Sequence, residues 1–73
     1  MSMGPTNEDR AEWALLAVES FRHVVNMGGE DLDTVISDLL ADLRHLADSE
    51  DLDFEEMLQW AYAHYEAEVN GDE

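Results

Sequence analysis

Residues 32–47 read LDTVISDLLADLRHLA. Leu32, Val35, Ile36, Leu39, Leu40, Leu43, Leu46 and Ala47 recur at helical spacing. At about 100° per residue they form one apolar stripe under about 150° wide, the signature of an amphipathic helix. Glu30 or Asp31 stands where an N-cap belongs. The helix is expected to fray around Asp48–Ser49.

Working outward, the chain on either side carries the same pattern. Toward the C-terminus, Asp53 can cap a helix, Glu56 sits at the capping-box position, and Leu52 can staple onto Met57. Phe54, Met57, Leu58, Ala61, Tyr62, Tyr65 and Val69 form its stripe, and Asn70-Gly71 ends it. Toward the N-terminus, Thr6 with Asp9 three residues on marks a helix start. Trp13, Leu16, Ala17, Phe21, Val24 and Met27 follow a helical period; Ala14, Val18 and Val25 widen that face and Leu15 lies nearly opposite. Asn26-Met27-Gly28-Gly29 is a stop, because Asn and Gly tolerate the left-handed C-cap conformation. The spacing predicts an all-α three-helix bundle with helices over about 7–26, 32–47 and 53–69. Both connections are short, so neighbouring helices are expected to run antiparallel. One helical domain spans 6–70, with disordered ends at 1–5 and 71–73.

The chain has 73 residues and no Cys. A domain of this size buries only about 60% of the surface its unfolded chain exposes, and no disulfide or thiolate metal site can add to that. Small domains of this kind depend on tight helix packing or on oligomerisation. Helix 1 is more apolar than a three-helix monomer needs, which points to a homodimer through that helix. No apolar run approaches the roughly 18 residues of a membrane span, and no basic segment followed by an apolar stretch opens the chain. The expectation is a cytoplasmic protein with no membrane partner.

Charge dominates the composition. Nineteen acids face three Arg and no Lys, for a formal net charge of −16. Such a surface repels nucleic acid and attracts basic proteins. The stretch DSEDLDFEE, residues 48–56, holds six carboxylates in nine residues. Asp53, Glu55 and Glu56 lie where the helix 3 dipole favours anions. That local reason does not reach Asp48, Glu50 and Asp51, or the acids on the outer face of helix 2.

No pattern among these residues spells out a reaction. As an EF-hand loop, the acid stretch needs Gly at the sixth position and Glu at the twelfth. From Asp48 these are Asp53 and Gln59; from Asp51 they are Glu56 and Tyr62. His23, His45 and His64 each have one carboxylate at helical reach (Glu19, Asp42 and Glu68), short of a full ligand set within one chain. Ser20, Ser37 and Ser49 lack a Gly-rich elbow or phosphate cradle. No catalytic residue, metal site or cofactor is expected. Trp13 is placed in the core. Trp60 sits about 130° from the centre of the helix 3 stripe beside Glu56; it is either covered by a neighbouring helix or exposed as an interface anchor.

Two resemblances are visible. DLLADLRHLADSEDLDF…AYAHYEAE resembles small proteins found on phages and plasmids, which implies a mobile-element context. DLLADLRHLADSEDLDFEEML is similar in cadence to the last helices of the MazG-like all-α nucleotide pyrophosphohydrolases. That resemblance implies Mg²⁺ held by an E-x-x-E pair on one helix and an E-x-x-D pair on the next. Asp38 falls at the Asp, but Val35 occupies the matching Glu position. Helix 1 offers only Glu8, Glu12 and Glu19 in other spacings.

The leading functional expectation is a small acidic inhibitor that occupies the basic, nucleic-acid-binding surface of another protein or complex. Phage-borne anti-CRISPR and anti-restriction proteins of the DNA-mimic type are often small and acidic in this way. Glu30 to Glu56 holds eleven acids against one Arg. Asp38, Asp42, Asp48, Glu50, Asp51, Glu55 and Glu56 would meet the partner's cations, with Trp60 as anchor and no direct contact to nucleic acid. One alternative is a degenerate MazG-like Mg²⁺-dependent hydrolase, which needs Glu12, Glu19 and Asp38 to converge. Another is a salt-adapted helical protein whose acidity serves no partner.

Overall fold

The computed structural model describes residues 4–72. Residues 1–3 and 73, parts of the ends expected to be disordered, lie outside the described residues. Among the described residues the chain forms three α-helices: α1 (Asn7–Val24), α2 (Leu32–Ser49) and α3 (Phe54–Ala67). A π-type turn over Glu68–Asp72 prolongs α3 and leaves helical geometry at Asn70 and Gly71, the latter at φ 113°. The all-α three-helix bundle expected from the periodicity is the fold.

Local chemistry sets the helix ends. At α1 the capping box is complete. Thr6 Oγ1 accepts from the Asp9 amide at 3.1 Å, and Asp9 Oδ2 accepts from the Thr6 amide at 3.0 Å. At α3, Asp53 Oδ1 accepts from the Glu56 amide at 3.1 Å. Asp31 is the N-cap of α2 by backbone geometry, without a side-chain capping bond. The C-termini of α1 and α2 end in the same way. Asn26 (φ 62°) and Asp51 (φ 59°) take the left-handed conformation one residue past the cap. The Met27 amide then returns to the Arg22 carbonyl at 2.9 Å, and the Leu52 amide to the Ala47 carbonyl at 2.8 Å. These are Schellman turns. At the first, Asn26 takes the left-handed role and Gly28 and Gly29 do not. The second ends α2 at Ser49, within the stretch where fraying was expected.

Asp51 holds that conformation without being Gly, which has no steric penalty there. D51G is therefore expected to raise stability by about 0.5–1 kcal/mol. D51A removes the same charge but keeps a Cβ at a left-handed position, so it is expected to fall short of the D51G gain. Denaturant melts at fixed protein concentration separate the backbone effect from the charge effect.

The packing is open. The only buried residues among those described are Val18, Val35 and Ala47, at 7%, 0% and 2% exposure. α3 contributes none. The Cα radius of gyration is 14.3 Å, against about 11 Å for a compact domain of this length. The longest dimension, 41 Å, exceeds the roughly 27 Å of an 18-residue helix.

The order of the helices also departs from expectation. With antiparallel neighbours throughout, the end of α3 would lie beside the end of α1. Instead it returns to the beginning of α1. Asn7 Nδ2 donates to the Glu68 carbonyl at 3.3 Å, and Arg10 Nε pairs with Glu68 at 3.2 Å. The helices make a circuit, which short connections alone do not forbid. Too little apolar surface is buried between them to hold them parallel along their lengths.

α1 is also turned from its expected orientation. Trp13, expected in the core, is 55% exposed, and Leu16 and Val24 are exposed with it. Val18 is buried, and Phe21 and Arg22 are half-buried. The buried face is about 100° round from the expected stripe. A helix apolar round most of its circumference leaves its rotation open, and a polar clamp sits on the face that turns inward. Arg22 Nη1 donates to the Met27 and Glu30 carbonyls at 3.1 and 2.6 Å, tying the 25–31 connection to α1. Its Nε lies 3.3 Å from Glu19 as an ion pair, without the alignment of a hydrogen bond.

Candidate functional site

The seven acids singled out from the sequence, Asp38, Asp42, Asp48, Glu50, Asp51, Glu55 and Glu56, are all exposed. Asp38 and Asp42 stand one turn apart on α2, about 6 Å along its axis. Asp48, Glu50 and Asp51 crowd the C-terminal end of α2, where no basic residue sits in the last turn. Anions there face the negative end of the helix dipole, at a cost of about 0.3–1 kcal/mol each at low salt. Glu55 and Glu56 occupy the first turn of α3, where the dipole favours them. The elbow between α2 and α3 thus gathers five of the seven acids within residues 48–56.

The few cations do not neutralise this surface. Each of the three Arg is committed to a carboxylate: Arg10 to Glu68, Arg22 to Glu19, and Arg44 to Glu55 at 2.9 Å. Among the described residues, Glu55 is the only one of the seven acids in an ion pair. Arg44 also lies over the Phe54 ring, 5.8 Å from its centroid, so it braces the elbow as well as quenching Glu55. Spacing alone did not separate Glu55 from the other six; the reach of Arg44, eleven residues earlier, does.

Trp60 is 57% exposed. No neighbouring helix covers it, which resolves the two readings in favour of exposure. It sits one helical turn beyond Glu56 on α3, where i and i+4 share a face.

Beside the acids lies a feature the sequence reading did not isolate. α2 and α3 diverge from the elbow to leave a cleft of about 380 Å³, lined by Leu40, Leu43, Leu46, Ala47, Leu52, Phe54, Met57, Leu58 and Ala61. No charged side chain lines it. Its signal was the width of the α2 stripe, wider than one neighbouring helix can cover. Leu52 and Met57, the expected staple, both form part of this wall.

Among the described residues, no three His, Asp or Glu side chains gather into a group able to hold a metal ion, Glu12, Glu19 and Asp38 included. No helix among them is long and apolar enough to cross a membrane. The chain matches no family model, no curated protein and no solved structure.

Proposed function

We propose that the protein is an acidic binding module that occupies a basic, nucleic-acid-binding surface on a partner protein. One observation carries the reading: dense negative charge on a preformed helical frame, with nineteen acids set against three Arg. A net charge of −16 along a 41 Å axis is one charge per about 2.6 Å. That lies between a single DNA strand, at about 3.4 Å per charge, and the duplex, at about 1.7 Å. The acids at the end of α2 strengthen the case. Asp48, Glu50 and Asp51 oppose the local dipole, and Asp51 also occupies a backbone position better suited to Gly. Local stability does not account for them, whereas complementarity to a cationic partner does.

The test is capture from a bacterial lysate on the tagged protein at about 100 mM salt, where charge steering is still strong. One nucleic-acid-binding protein or complex, retained and then displaced by added DNA, is the expected result. A diffuse set of basic proteins, all lost at about 500 mM salt, would count against it.

A second reading rests on the acids of α1. Glu8, Asp9, Glu12 and Glu19 extend the charge well beyond the elbow, as general salt adaptation requires. A melting temperature that climbs steeply toward molar KCl, with loss of helicity at low salt, would favour it.

A further inference from the structure

We infer that the α2–α3 cleft is a homodimer interface, filled by the same cleft of a second copy of this chain. The area points to it. The chain exposes 5870 Å², where a compact monomer of 8.3 kDa exposes about 4,600 Å². The excess is on the order of 1,000 Å² per chain. Spread over the whole surface, α1 included, it sets an upper bound of about 2,000 Å² for two chains, the size at which obligate homodimer interfaces begin. The core leads to the same place. α3 has no buried residue, and Leu40, Leu43, Leu46 and Leu58 stay exposed with Phe54 and Met57 only half-buried, so a second surface is needed to cover this face of α2 and α3.

A second copy fits better than a basic helix from another protein. The walls are wholly apolar, so a cationic helix would find carboxylates only outside them. The chain also lacks this burial whether or not a partner is present. An isologous contact sets cleft against cleft, each supplying what the other lacks. The rival face is the exposed stripe of α1, Trp13, Leu16 and Val24. Asp9 falls by helical spacing within that face, between Leu16 and Trp13, so a contact there would bury a carboxylate, whereas no charged side chain lines the cleft. The repulsion between two chains of like charge gives the dimer a signature: salt screens it, so the dimer tightens as salt rises. A complex with a basic partner weakens under the same change, so failure of one reading is distinguishable from failure of the other.

Sedimentation of the full chain at about 50 mM and about 500 mM salt tests this together with two single-cysteine variants, which the Cys-free sequence permits. The expected result is twice the 8.3 kDa monomer mass, with a dissociation constant that falls as salt rises. A short bis-maleimide should crosslink L58C and leave L16C monomeric. A helical monomer at both salt concentrations, crosslinking of L16C in place of L58C, or a cleft taken by a basic amphipathic peptide on a monomeric chain would each overturn the inference.

Discussion

D38K, D42K and E56K combined should reduce capture of the basic partner at least a hundredfold, with helicity unchanged. All three acids are exposed, and none is ion-paired among the described residues. Each reversal removes an attraction and adds a repulsion, about 1 kcal/mol apiece for exposed pairs. Together they amount to about 3 kcal/mol, and every 1.4 kcal/mol is tenfold in affinity. The same changes relieve self-repulsion within a chain of net charge −16, so thermal stability should hold or rise. Circular dichroism and binding, measured on the same preparation, separate the two effects. Binding that survives the triple reversal would sink the proposed role of these acids.

The second large effect is on stability, and it reverses the ranking that side-chain size suggests. V35A should cost about 2 kcal/mol and W13A under about 1 kcal/mol. Val35 is fully buried, so its lost methyl groups leave a cavity; Trp13 is mostly in water. In a domain of this length, total stability is on the order of 4–10 kcal/mol, so V35A removes a large share. Denaturant unfolding followed by far-ultraviolet circular dichroism checks both. A W13A loss larger than that of V35A would mean that α1 presents its Trp13 face to the core after all.

These particulars show which parts of the molecule were legible in the sequence. Thr6 with Asp9, and Asp53 before Phe54, fixed helix starts because caps act between residues three apart. The α2 stripe was legible because its apolar positions share one face. The rotation of α1 was not, since its apolar residues spread too widely for pattern alone to choose between Trp13 and Val18; in the structure Val18 faces inward, on the side where Arg22 holds the Met27 and Glu30 carbonyls. The circuit closed by Asn7, Arg10 and Glu68 joins residues some sixty positions apart, and no local rule encodes such a pair. For the candidate site, exposure of the acids could be expected from their charge. That Glu55 is quenched by Arg44, that Asp51 is left-handed, and that a cleft opens beside them depend on how the helices meet.

The most direct test of the binding role is a competition assay between this protein and duplex DNA for the purified partner, across a salt series. The expected result is mutual exclusion, with affinity for the acidic protein falling as salt rises in the same sense as affinity for DNA. Simultaneous binding of both, or an affinity indifferent to salt, would contradict the role assigned to the carboxylates of α2 and its elbow.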